Sequence, residues 1–341
     1  MSLPPLVRDE VRAALRFQDP PRPPLSLSLW VNDQTRQALG AHLIELETAF
    51  PDDVVLGGMG VDYWRAPPAH PTYRWAFGDK VKPQGRAIDS CPVIEDWSEL
   101  DAFLDELPDP HRPGTTDGIE TLRHRHPDRY VLVGWGHYLH QRLAYLRGLE
   151  SLLFDFVDHP GELCRLMDAL LALYRVWAER AATAGADGVW GGDDLGTQRS
   201  LFMSPEIFRR LYKPYYRQLA DCLHDNGLDF WLHTCGNVTR LMEDLIECGV
   251  DAVHPIQAGT MDDAAMAARY GGRIAFWIGM DVQQLLPFGT PEQVRAGCLE
   301  RMRTFHRRAG GLVLAAGNAI MPETPLENIR AYLQTIRTPI L

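Results

Sequence analysis

Short apolar runs rich in β-formers recur along the chain, each bordered by turn-forming residues. In order they are Leu25–Trp30, Asp53–Gly57, Tyr130–Gly136, Gly188–Gly192, Asp229–Leu232, Ala252–Ile256, Ile274–Gly279 and Gly311–Ala315. Their apolar character is continuous rather than alternating, which is what parallel strands covered on both faces require. Amphipathic stretches of helical length fill the later gaps. Pro205–Asp225 sets Ile207, Leu211, Tyr215 and Leu219 four apart behind Ser204 as N-cap. Val238–Cys248 and Met261–Tyr270 are shorter and end before Gly249 and Gly271. Glu292–Arg308 and Pro325–Thr335 follow the same pattern, and Tyr138–Ala184 has room for two helices, His140–Leu153 and Pro160–Ala184.

Strand and helix alternating to a count of eight predict an α/β fold, a TIM (β/α)8 barrel forming a single domain over residues 1–341. A doubly wound open sheet is the alternative, but no GxGxxG follows a strand and no Walker sequence is present. The segment Arg65–Arg129, rich in Pro, Asp and Trp, reads as an excursion on the barrel, helical at Trp97–Leu107.

Composition narrows the function classes. The chain has 341 residues, 45% hydrophobic and 23% charged, with a net charge of −11. That charge argues against a general nucleic-acid or anionic-membrane binder. No apolar run is long enough to span a bilayer, and the first residues lack a secretory pattern. Six cysteines without a CxxC pair read as free thiols, so a cytoplasmic location is expected. Nine tryptophans suggest a site or interface rich in aromatics.

In a barrel the chemistry sits at the C-terminal ends of the strands. The polar residues there are His137 and Tyr138, Asp193 and Asp194, His233 and Cys235, His254 and Gln257, Asp281 and Gln283, and Asn318. The opposite ends carry mostly Gly and Asp. In His233-Thr234-Cys235-Gly236 an imidazole and a thiol two residues apart share one side of the strand, a natural pair of metal ligands. The bland reading is a buried histidine beside a small apolar cysteine. Of Asp193 and Asp194, one is expected to act and the other to cap a helix or turn. Asp193, Asp194, His254 and Asp281 are thus the candidate catalytic residues. His137, Tyr138, Gln198, Gln257, Gln283 and Asn318 are candidate substrate contacts.

Separated motifs then carry a resemblance. Leu-Arg-Gly-Leu-Glu (146–150), Ala-Gly-Ala-Asp-Gly-Val (184–189), Asp-Asp-Leu-Gly-Thr-Gln (193–198), Ser-Pro-Glu (204–206), His-Thr-Cys-Gly-Asn (233–237) and Pro-Glu-Thr-Pro-Leu-Glu-Asn (322–328) occur in order. With them the chain resembles the uroporphyrinogen-decarboxylase-like superfamily, which also contains the methylcobalamin:coenzyme M methyltransferases. The likeness runs from about Arg8 to Arg337 and is greater to the methyltransferase-like branch. It implies a barrel with its site in a deep C-terminal cleft.

The decarboxylases carry an Arg-Gln-Ala-Gly-Arg-Tyr motif near the N-terminus, whose arginines hold substrate carboxylates. Here that stretch reads Leu29-Trp30-Val31-Asn32-Asp33-Gln34, followed by Arg36 and Gln37. The methyltransferases hold zinc with His-x-Cys and a distant Cys, and the zinc activates a substrate thiol toward a corrinoid methyl group. His233 and Cys235 match, but the third position falls at Asn318, where methyltransferases have Cys and decarboxylases His. Either Asp193, Asp194 or Asp281 completes the set, or no metal binds and Cys235 has another role.

The resemblance therefore implies a metal-dependent methyltransferase or demethylase acting on a small molecule. It implies Zn2+ at His233 and Cys235, a corrinoid carried by a partner protein, and a homodimer as found among relatives. The alternatives are a metal-free lyase acting on a carboxylate substrate and a non-catalytic barrel that binds a small molecule or a corrinoid protein.

Overall fold

The computed structural model describes residues 4–27, 30–59 and 92–338. Seven strands form one curled parallel sheet in sequential order. They are β1 (Val54–Gly58), β2 (Tyr130–His137), β3 (Gly188–Gly192), β4 (Asp229–His233), β5 (Ala252–His254), β6 (Ala275–Ile278) and β7 (Leu312–Leu314). Each lies on an expected apolar run. β5 stops at His254 because Pro255 has no N–H to give to the ladder. Among the described residues no helix is long and apolar enough to cross a membrane.

The first expected strand, Leu25–Trp30, is corrected to a single bridge at Leu25, with residues 28 and 29 outside the described set. Its N–H groups are claimed elsewhere: Leu25 donates to Asp53 Oδ2 (2.7 Å) and Leu27 to Asp52 Oδ1 (3.0 Å). The segment still links both sheet edges. Ser26 donates to Leu314 O and Leu314 to Pro24 O, while Asp53 donates to Leu25 O.

Two expected helices are interrupted. His140–Leu153 divides at Gly148 (φ 78°) into His140–Arg147 and Leu149–Asp158. The left-handed glycine ends the first helix, and Arg147 turns to Asp155 (2.8 Å) and Ile94 O (2.6 Å). Pro205–Asp225 is capped by Ser204 as expected, but residues Phe208–Tyr212 form a π-helical turn before the helix Lys213–Asp225. Pro214 cannot donate to the preceding turn, which breaks the regular ladder there. Of the Arg65–Arg129 excursion, residues 65–91 lie outside the described set. Trp97–Glu99 and Leu100–Asp105 are helical as expected, and Asp117–Arg125 is a further helix.

The starts of the strands are tied down by buried aspartates. Asp187 meets Arg12 (3.1 Å) and Arg123, and Asp229 meets Arg16 (3.1 Å) and the Tyr130 hydroxyl (2.8 Å). Asp53 accepts from Leu6 N, Leu25 N and two nitrogens of Arg22, all within 2.8 Å. Removing one partner of such a buried set strands the others without water. Asp53→Ala is expected to lower unfolding stability by about 3–5 kcal/mol, measured by denaturant titration. A loss below about 1 kcal/mol would show that the pairing matters no more than a surface ion pair.

Candidate functional site

The level ends of β3, β4 and β5 create the site. Gly192 pairs with His233, and His233 with His254, so the two imidazoles stand side by side. Their Nδ1 atoms are 2.8 Å apart. His254 Nε2 lies 2.9 Å from Ala316 O, in the turn after β7. His233 Nε2 faces Cys235 Sγ at 3.4 Å and Asp194 Oδ1 at 3.6 Å. Asn318 completes the cluster, its Nδ2 donating to Cys235 Sγ (3.2 Å) while its Oδ1 accepts from Ala319 N (2.8 Å).

Two backbone turns in contact hold these groups. Cys235 N donates to Asp194 Oδ1 (2.8 Å), Leu195 N to Thr234 Oγ1 (3.1 Å) and Asn237 N to Thr197 O (2.8 Å). Gly236 has φ 83°, and a Cβ there would overlap the Gly196 carbonyl. The glycine of the HTCG motif is thus required twice, for its backbone conformation and for this close approach.

The adjacent aspartates divide as the turn directs them. Asp194 has a side chain one-third exposed, beside His233 and Cys235. Asp193 is fully buried and faces away, accepting from Gln141 N (2.6 Å), Leu139 N (3.1 Å) and the Tyr216 hydroxyl (2.5 Å). Burial pushes its carboxyl up to about 6, against the pull of those donors. Its oxygens are spent on ordering the start of the helix His140–Arg147.

Other expected residues separate in the same way. Tyr138 is corrected from a cleft residue to a core residue: it is fully buried and its hydroxyl is shared between Val189 O and Trp231 O. Asp281 accepts from Gln283 N and Gln284 N, capping its own turn outside the cluster, and the Gln283 side chain is exposed. Gln257 supports the HTCG turn by accepting from Gly236 N (2.8 Å), and reaches Gln198 at 3.3 Å. His137 ends β2 against Gln141 (2.9 Å) and the edge of Tyr145. Burial holds it down at about 3, so it is neutral.

Sequence reasoning missed the aromatic floor. Trp30 stacks on His254 at 4.1 Å with rings 7° from parallel, and Trp277 lies 4.7 Å from the same imidazole. Trp190 is 6.0 Å from Trp30. The tryptophan count hinted at such a surface, but Trp30 comes from the segment before β1, Trp190 from β3 and Trp277 from β6, and they meet only in the folded chain.

Asp194, His233 and Cys235 are the one group of potential metal ligands of this kind among the described residues, with ligand atoms within 4.8 Å of one another. Ordinary zinc bond lengths and tetrahedral angles require about 3.6 Å between S and N and about 3.4 Å between N and O. The observed 3.4 and 3.6 Å match this spacing. Zinc accepts N, S and O donors, and its catalytic sites use three protein ligands with a fourth position open, so the residues fit the ion. Burial pushes the Cys235 thiol up to about 12, with Asp194 adding to the rise and Asn318 opposing it. His233 is held below its ordinary value by burial, opposed by Asp194.

Residues 72–339 match the family described as uroporphyrinogen decarboxylase (URO-D). The chain belongs to this family. Its relatives include enzymes of two kinds. A methylated-thiol–coenzyme M methyltransferase of Methanosarcina mazei is 25% identical over 58% of this chain and 50% of that protein. A uroporphyrinogen decarboxylase of Trichodesmium erythraeum is 24% identical over 76% of this chain and 72% of its own length. The chain spans about half the length of the curated methyltransferases it matches. Among solved structures, a methyltransferase from Methanosarcina mazei superposes with a TM-score of 0.54 at 23% identity, covering 65% of this chain and 62% of that one, a likeness of fold.

The contact between turns gives a direct test. Gly236→Ala is expected to destabilise this family member by about 1–3 kcal/mol through strain and overlap with Gly196, seen as a lower melting temperature. An unchanged melt would mean that the turns are not in contact in solution.

Proposed function

We propose that the chain is a zinc-dependent methyltransferase or demethylase acting on a small thiol or methylated compound at the C-terminal mouth of a single (β/α)8 barrel. The observation that carries this reading is the convergence of Asp194, His233 and Cys235 at zinc-ligand spacing. Asp194 is the carboxylate that stands in for the family's distant cysteine. Asn318, at that cysteine's position, contributes a hydrogen bond to Cys235 Sγ instead. Bound zinc would supply the Lewis acidity that turns a substrate thiol into a thiolate.

The chain's own residues orient and exclude. Gln257 and Gly236 fix the turn that aims Cys235, and Asp193 stays a structural anchor beneath Asp194. Trp30 and Trp277 wall the imidazoles from water, which strengthens any charge interaction at the ion. A corrinoid on a partner protein is the methyl carrier consistent with the methyltransferase relatives, and a homodimer is consistent with the resemblance.

A carboxy-lyase remains the second reading, favoured by the longer alignment to a decarboxylase. Release of CO2 from a carboxylate substrate by a Cys235→Ser variant would establish it.

Protein purified without chelator is expected to hold one zinc per chain, measured by elemental analysis. His233→Ala and Cys235→Ser should lose it, whereas Asn318→Cys should bind it more tightly. Metal-free protein with full methyl-transfer activity would overturn the proposal.

The proton inventory sets a pH dependence. A thiol raised to about 12 is protonated at neutral pH, whereas His233, with its value lowered, is already neutral. Each ion bound therefore displaces one proton, and affinity should rise about tenfold per pH unit between roughly pH 7 and 9. Calorimetry in buffers of different ionisation enthalpy reads the released proton directly, and a flat profile would contradict this account.

A further inference from the structure

We propose that His254 is a positioning residue, which holds His233 as its Nδ1–H tautomer and thereby directs a bare Nε2 lone pair at Cys235 and Asp194. This rests on the reading of the cluster as a metal centre but makes a claim of its own, because the tautomer exists with or without an ion.

The assignment follows from hydrogen-bond bookkeeping. Ala316 O can only accept, so His254 carries a proton on Nε2, 2.9 Å away. His254 is fully buried between Trp30 and Trp277, an environment that disfavours a second proton on its ring. Its Nδ1 is then an acceptor. The 2.8 Å contact between the two Nδ1 atoms holds one proton, which must belong to His233. A neutral His233 protonated at Nδ1 has its lone pair on Nε2, the atom that faces Cys235 Sγ and Asp194 Oδ1.

The same direction of donation continues outward. The Cys235 thiol can donate to that lone pair, and Asn318 Nδ2 donates to the sulfur, with its orientation fixed by Ala319 N on Oδ1. Each donor from Asn318 to Ala316 has one acceptor. An ion would replace the thiol proton and leave the inner two bonds as they are.

Metal-ligating histidines ordinarily give their second N–H to a carboxylate, a carbonyl or water, and loss of that partner typically costs 10- to 100-fold in metal affinity. Here a second imidazole, itself fixed by a carbonyl, takes that place.

Nitrogen NMR of the full-length, metal-free protein with 15N-labelled histidine tests this, with the His233 signals assigned by their loss in His233→Asn. The wild type should show a protonated Nδ1 and a bare Nε2 at His233. His254→Phe keeps an aromatic ring beside Trp30 but cannot accept, so His233 should shift toward Nε2–H and zinc affinity should fall about 10- to 100-fold. His254→Gln, whose amide can accept from His233 and donate to Ala316, should restore most of that affinity. A wild-type His233 protonated at Nε2 overturns the proposal. So does a His254→Phe variant with unchanged tautomer and unchanged zinc affinity. The expected tautomer in a wild type that takes up no zinc supports the positioning role and sinks the metal reading alone.

Discussion

A parallel ladder brings side chains to one level only while its strands stay in register. Gly192, His233 and His254 are successive partners across β3, β4 and β5, and this alignment sets the imidazoles within a hydrogen bond of each other. A one-residue slip of β4 would turn His233 to the opposite face and send Trp231 with it. The register is held from the other end of the strands, where Asp53, Asp187 and Asp229 are locked to arginines. Stability is thus concentrated at the strand starts and reactive groups at the strand ends.

Burial gives that alignment its chemical meaning. The imidazole pair lies against tryptophan rings, where an unpaired polar atom is costly, and each ring nitrogen of His254 has a partner, His233 Nδ1 on one side and Ala316 O on the other. Asn318 belongs to this scheme. As a zinc ligand it would be weak, yet as a donor to sulfur it lowers the cost of negative charge on Cys235. Asp194, the carboxylate beside His233 and Cys235, comes from the neighbouring strand end, and with it the three side chains would offer a harder donor set than two thiolates and an imidazole.

What could be read from sequence follows from how local each feature is. β1 to β7 were legible because buried parallel strands are continuous apolar runs. Leu25–Trp30 looked identical, but the Asp52 and Asp53 carboxylates take N–H groups a ladder would need. His233 and Cys235 were legible because two residues of one motif define the pair. Asp193 and Asp194 were not separable, since their roles depend on the rotation of a turn packed against another turn. Tyr138 was misread because it was grouped with the adjacent His137 as a polar residue at the strand end, whereas successive residues there face opposite ways and its hydroxyl is satisfied inside the core.

Trp30 follows the segment that bonds to both β7 and β1, whereas Asp194, His233 and Cys235 come from two adjoining strand ends. A nascent chain can therefore bring Asp194, His233 and Cys235 together soon after β4 emerges, yet the dry floor beneath them waits for the last strand to be made. Gathering of these side chains and closure of the floor beneath them become separate events as the chain is made. A half-made chain holds them in water, where charges interact weakly, and they reach a dry setting only when the two ends of the polypeptide have met.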